Sequence, residues 1–399
     1  MAQGHPTWLD ACYVQKILRN AEKDESIEVS GITVKAATAK GDNYGSDMYR
    51  VAVEFSRAQD GRTIQEKKSL IAKVAPQGDM REEMLSIMSI TLPRMDEILE
   101  KLGSTSLGAR CLHVQYEKPS HAVIEDLVPK GFRMAERQAG LDLDHCLLAI
   151  RNLGKFHAAS IALKEKDPNV FTNYTKGMLH KDQPAMVIKF FNSAAKSFSD
   201  ETAEWPELSP RIKEKIQKLS KYIYTKGCEA TRYKQDDFNV LNHGDFWVNN
   251  MLFRYDEQGK PIDHIFVDFQ ISHYGSAAND LLYFLGTSPT DEVRRDHREL
   301  ILQEYYTSLT STMAKLKCNT EILSFDNLQE ILKNRAFAEV VATVAVLPIV
   351  ALEKGEVLDF DEMARKDGDY TNPGYNGKSY RKIMTRLLPW YDSMGLLDM

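Results

Sequence analysis

At 399 residues the chain is too long for one small core and suits two lobes or one large domain. Hydrophobic content of 43% and charged content of 27% are those of an ordinary globular protein. A net charge of −6, with no basic run interleaved with aromatics, argues against a nucleic-acid partner. Five scattered cysteines (Cys12, Cys111, Cys146, Cys228, Cys318) form no CxxC pair and read as reduced thiols, so a cytosolic (cytoplasmic) location is expected. The first residues have no basic flank before an apolar core and no myristoylation pattern, and LLDM at the end is no prenylation box. The most apolar stretch, Val340–Leu352, falls short of the roughly 20 residues a membrane span needs and is interrupted by Pro348. A kinked buried helix is expected there, with no membrane association and no signal of a protein partner.

In chain order, Trp8–Asp24 has apolar residues at helical spacing. Three strand-like runs follow, Ile27–Thr38, Asp47–Phe55 and Lys68–Ala75, joined by the turn-rich AKGDNYGS and RAQDGRT. Met80–Ile90 reads as a helix, and Pro93 starts another that ends near Gly103. Cys111–Tyr116 and His121–Glu125 are two further strands around EKPS. From Leu143 onward helical patterns dominate: Leu143–Leu163, Met186–Ser197, Pro210–Tyr224, Arg294–Lys317 and Asn327–Val346. The expected class is α+β, a β-rich lobe over residues 1–125 followed by an α-rich lobe over 126–399, joined at Glu125-Asp126-Leu127.

The helical half is interrupted by Val240–Leu285, a strand–loop–strand–turn–strand pattern that carries Asp245, Asn250 and Asp268. His243-Gly244-Asp245 with Asn250 gives H-x-D-x-x-x-x-N over residues 243–250, the spacing of a protein-kinase catalytic loop. Alone, the same residues suit a polar β-turn. Asp268 shifts the balance, because it closes the apolar strand Ile265-Phe266-Val267. A carboxylate there is costly unless paired or coordinating a cation. Two carboxylates and an amide in this order suit phosphoryl transfer from ATP: Asp245 as catalytic base, Asn250 and Asp268 as Mg2+ ligands.

Lys73, in SLIAKVAP, lies inside an apolar strand, where it either snorkels or meets a carboxylate or phosphate. The turn Gly41-Asp42-Asn43-Tyr44-Gly45-Ser46 is a plain hairpin turn or a cradle of backbone N–H groups for a phosphate. Asp280 begins an apolar helix, complementing its dipole or bracing the catalytic loop. His157, on an apolar helix, reads as a satisfied core histidine. Only a dozen positions separate Asp268 from Asp280, too few for the activation segment on which protein kinases lay a peptide. A small acceptor follows.

LNHGDFWVNNMLF, VDFQ and GSAANDLLYFL resemble the insect ecdysteroid-kinase-like family, relatives of choline kinases and aminoglycoside phosphotransferases. KGDNYGSDMYRVAV and VIEDL resemble its nucleotide-binding turn and interlobe hinge. The resemblance implies a protein-kinase-like bilobal fold and ATP- and Mg2+-dependent phosphorylation of a small-molecule hydroxyl. By position, Asp245 would be the base, Asn250 and Asp268 would hold metal, and Lys73 would contact phosphates. Asn43, Tyr44 and Ser46 would lie over the nucleotide, and the main chain of Glu125 and Leu127 would face adenine. The family's helix glutamate is displaced: MREEMLSIMSITLPRM puts Met84 and Met88 near its expected acidic and aromatic positions. Glu83 or Glu82 is then the expected partner of Lys73.

Overall fold

The computed structural model describes residues 6–37, 46–75, 82–104, 106–352 and 372–398. Helix α1 (Ala11–Glu22) is capped by Asp10, whose side chain accepts from the Tyr13 N–H, and it ends at Lys23 in the left-handed region. Strands β1 (Glu28–Ala36), β2 (Asp47–Gln59), β3 (Arg62–Val74), β4 (Cys111–Gln115) and β5 (His121–Glu125) form one antiparallel sheet in the order β1-β2-β3-β5-β4. The third strand starts at Arg62 rather than Lys68. The two-residue turn Asp60-Gly61, both with positive φ, fixes the register and lets pairing run from Gln59↔Arg62 to Asp47↔Val74. Leu9, Val14, Leu18, Val51, Val53, Phe55 and Leu70 form the core between α1 and this sheet.

The two helices expected around Pro93 are one continuous run. Helix α2 (Glu82–Ser86) passes through a π turn, Ile87–Thr91, into α3 (Leu92–Glu100). Pro93 has no N–H to offer the preceding turn, and the wider i→i−5 bond from Leu92 N–H to Ile87 O absorbs the mismatch.

A carboxylate ties the sheet to the segment after β5. Asp126 accepts from Arg50 Nε on β2 at 2.7 Å and from Ser69 Oγ on β3 at 2.6 Å. It also accepts from the Val128 N–H at 3.2 Å.

The remainder is mostly helical: α4 (Leu143–Lys166), α5 (Ala185–Ala203), α6 (Pro210–Leu219), α7 (Ile223–Thr231), α8 (Ala278–Thr287), α9 (Asp291–Asp296), α10 (Arg298–Leu316), α11 (Phe325–Asn334), α12 (Phe337–Ala345), α13 (Leu347–Val350) and α14 (Lys378–Ser393). Three long expected helices are each broken in two, at Ser220–Tyr222, at His297 and at Arg335–Ala336. Pro348 sits in the first turn of the short α13, where its missing N–H costs nothing, so the apolar stretch breaks as expected. No helix of the described residues is long and apolar enough to cross a membrane. Within the helices, β6 (Phe132–Met134), β8 (Met251–Tyr255) and β9 (Pro261–Phe266) make one small sheet, and β7 (Asn239–Asn242) pairs with β10 (His273–Ser276) in another. A β-rich first part and an α-rich second part, with a hairpin-borne loop system in the latter, match the expected α+β, protein-kinase-like order.

Candidate active site

The loop between β7 and β8 is built from the inside. His243 is fully buried; its Nε2 lies 3.0 Å from the Val267 carbonyl, and its Nδ1 accepts from the Asp245 N–H at 3.3 Å. A carbonyl can only accept, so Nε2 carries the proton and the ring is the neutral tautomer. Burial, which pushes the His243 pKa down, agrees. Gly244 has φ +85°, and a Cβ there would stand 2.1 Å from the Ile271 carbonyl oxygen, so no other residue fits this turn.

Asp280, in the first turn of α8, is the brace of the loop as well as a residue at a helix start. Its Oδ2 accepts from the His243 N–H at 2.6 Å and its Oδ1 from the Gly244 N–H at 2.8 Å. His157 Nε2 lies 3.2 Å from the same carboxylate, with its Nδ1 2.7 Å from the Tyr305 hydroxyl, so His157 is the satisfied core histidine its surroundings predict. Burial alone would raise the Asp280 pKa, but the hydrogen bond from His157 and the loop N–H groups hold it below the ordinary value.

Asp245 is also buried, and both its oxygens are engaged. Asn250 Nδ2 donates to Oδ2 at 2.8 Å and to the Asp245 carbonyl at 2.9 Å, while the Tyr283 hydroxyl donates to Oδ1 at 2.7 Å. Burial pushes its pKa up to about 6; the Tyr283 bond works against that and neighbouring Asp268 works with it. Because both acceptors on the Asp245 side demand the amino group of Asn250, its Oδ1 necessarily faces the other way.

Asp268 follows β9 and is held near the loop by the Val267 N–H donating to Asn250 O at 3.0 Å. Its φ of +65° is uncommon outside glycine and is tolerated best by Asp and Asn. Its Oδ1 lies 2.5 Å from Lys73 Nζ, so the structure brings the β3 lysine and this carboxylate together across the chain. Lys73 itself is 4% exposed, between Met48 on β2 and Ala122 on β5. Among the described residues neither Glu82 nor Glu83 forms an ion pair with it; Glu83 is half-buried on α2.

Ser46 is buried at the start of β2, whereas Asn43 and Tyr44 lie outside the described residues. After β5, the Glu125 N–H is spent on the Arg110 carbonyl, and the Glu125 carboxylate on the Arg110 N–H and Lys130. Leu127 is buried; its carbonyl accepts from Lys130 and Phe132, and its N–H has no partner among the described residues.

A cavity of about 490 Å3 opens against the loop. Gly244, Tyr283 and His273 line it, with Phe191 of α5 and Val341 of α12 among its mostly apolar walls. Sequence reasoning missed Tyr283. Its signal is spacing: three positions after Asp280 on α8, it shares that residue's face.

The residues suit the groups that phosphoryl transfer needs. Among the described residues no three His, Cys, Asp or Glu side chains cluster as a metal cage. Mg2+ asks for less, one or two protein oxygens completed by phosphates and water, and Asn250 Oδ1 and the Asp268 carboxylate are oxygens of the kind it takes. A buried donor, Trp247 Nε1, has no partner among the described residues and lies two positions after Asp245.

Phosphoryl transfer asks little covalent chemistry of a protein and much charge held in place. That is the class this fold and site define, a kinase-like phosphotransferase. The chain itself belongs to the ecdysteroid kinase-like family, whose family model matches residues 40–318. No curated protein matches the chain. Among solved structures, a choline kinase from Cryptosporidium parvum is 13% identical, with 96% of this chain and 99% of that one covered and a TM-score of 0.44. A Plasmodium vivax ethanolamine kinase is 11% identical, covering 96% and 89%, with a TM-score of 0.43. The amicoumacin kinase hAmiN, solved with AMP-PNP, Ca2+ and Ami, is 14% identical, covering 92% and 94%, with a TM-score of 0.41.

Proposed function

We propose that this chain transfers the γ-phosphoryl group of ATP to a hydroxyl of a small organic molecule held in the 490 Å3 cavity. The observation that carries the reading is Asp245: a buried carboxylate with its pKa raised to about 6, hydrogen-bonded to Tyr283, which lines a cavity of ligand-binding size. Asp245 would orient the acceptor hydroxyl and take its proton on a carboxylate oxygen. Asn250 Oδ1 and Asp268 would hold Mg2+, which neutralises phosphate charge when bound. Lys73 would exchange Asp268 for the phosphates, the main chain of Glu125 and Leu127 would face adenine, and Asn43, Tyr44 and Ser46 would cover the phosphates.

Mostly apolar walls favour an apolar alcohol over a strongly polar acceptor, and a steroid alcohol such as an ecdysteroid is the first candidate. The β10 strand supports a small acceptor, because with one turn it uses up the chain between Asp268 and α8. The rival within the class is a choline- or aminoglycoside-like kinase with a polar acceptor.

A second reading is a pseudokinase that binds nucleotide or hormone. The Lys73–Asp268 pair, with no α2 glutamate on Lys73, favours it. ATP consumption with ecdysteroids, choline and plant-type alcohols separates these readings. Turnover with an ecdysteroid supports the first and turnover with choline alone supports its rival. Nucleotide binding without turnover on any acceptor supports the pseudokinase.

A further inference from the structure

Each carboxylate oxygen of Asp245 already accepts one side-chain hydrogen bond. Oδ2 holds Asn250, and Oδ1 holds the Tyr283 hydroxyl at 2.7 Å. Tyr283 lines the cavity and donates to Asp245 Oδ1, so this one side chain links the cavity to the carboxylate. A hydroxyl at hydrogen-bond distance from a carboxylate oxygen, on the cavity side, is the arrangement a reacting alcohol needs. Tyr283 cannot itself react there: burial holds its pKa well above the ordinary value, so it stays a protonated donor.

We propose that Tyr283 is a stand-in for the acceptor, holding Asp245 Oδ1 until an alcohol enters the cavity and displaces its hydroxyl. This rests on the kinase reading above. The competitor it excludes is water. Attack by water would form a bond from its oxygen to the γ-phosphorus and break the bond from that phosphorus to the β,γ-bridging oxygen. The proton would pass to Asp245, and ADP and phosphate would leave. While the phenol holds its site on Oδ1, a stray water must displace it to be oriented there, whereas an acceptor with a body to fill the cavity gains enough contact to do so. A residue that only positioned Asp245 would behave oppositely: its loss would slow every reaction routed through that carboxylate, hydrolysis included.

The test uses the full chain and ATP·Mg2+ without any acceptor. Tyr283→Phe removes one oxygen and keeps the ring. Phosphate release should rise roughly ten- to a hundredfold, the worth of one hydrogen bond to a charged group. The double variant Tyr283→Phe/Asp245→Asn should return it to the wild-type level or below. A second readout needs no turnover: a crystal structure of nucleotide-free Tyr283→Phe should hold an ordered water about 3 Å from Asp245 Oδ1, where the wild type holds the phenol. Release that is unchanged or lower, or an Oδ1 with no water beside it, overturns the proposal. AMP-PNP·Mg2+ binding separates the two levels of failure. If the proteins bind it and release does not rise, the stand-in role alone fails; if neither binds it, the kinase reading falls and takes the stand-in with it.

Discussion

Replacing Asp280 by alanine tests whether the catalytic loop is held by one carboxylate. The side chain is 1% exposed and accepts from the His243 N–H, the Gly244 N–H and His157 Nε2. Alanine strands all three donors, and each buried donor without a partner costs about 1–3 kcal/mol. Asp280 borders the cavity, so water can reach part of the gap and recover some of that. The expected loss is about 3–5 kcal/mol, the range for breaking a buried charged pair. Asp280→Asn keeps one accepting oxygen and turns an amino group toward a donor, so about 1–3 kcal/mol is expected. Urea unfolding followed by tryptophan fluorescence measures the difference, and amide exchange at His243 and Gly244 measures the loop alone. Both amides should exchange faster in each variant, with alanine the faster. An alanine variant within about 0.5 kcal/mol of wild type, with slow exchange at both amides, would refute the bracing argument.

Asp245→Asn should lower turnover by roughly 10² to 10⁴ while thermal melting stays near wild type; a rate within threefold of wild type removes the base assignment. The pH dependence follows from the raised Asp245 pKa. The free base must be ionised, so kcat/KM should fall as pH drops through about 6, and Asp245→Asn should lose that limb. For stability the sign is the reverse. The folded pKa lies above the ordinary aspartate value of 3.8, so the proton-bound form contributes stability that is full below that value and lost as pH rises through about 6. Asp268→Ala should abolish Mg2+-dependent nucleotide binding in calorimetry and leave Lys73 buried without its partner; unchanged binding removes Asp268 from the metal role. Gly244→Ala should destabilise the loop and inactivate the protein, because the added carbon meets Ile271 O at 2.1 Å in a backbone with φ +85°. Activity near wild type would mean the turn can relax.

The loop system was legible because its residues sit at strand ends, where local pattern and chemistry coincide: Asp245 and Asn250 after β7, Asp268 after β9. The partner of Lys73 was not. Sequence reasoning sought it on the next helix, whereas the structure places it on a strand end 195 positions away, a tertiary contact no local period records. The breaks at Ser220, His297 and Arg335 were hidden for a related reason: the apolar spacing continues through each while the backbone ends one helix and starts another. Helix α14 has a readable apolar stripe, Tyr380, Ile383, Met384, Leu387, Leu388 and Tyr391, that the sequence expectations leave out. Pro389 inside that helix discourages the assignment. Tyr283 needed both halves at once, since its meaning comes from the cavity beside it and the carboxylate below it.

The grip of Asp126 on Arg50, Ser69 and the Val128 N–H welds two strands and the start of the connecting segment into one stiff piece. Any swing that opens or shuts the gap between sheet and helices must therefore bend the chain beyond Val128. A molecule resting on that piece would meet a rim whose outline is set by the strands and not by the helices.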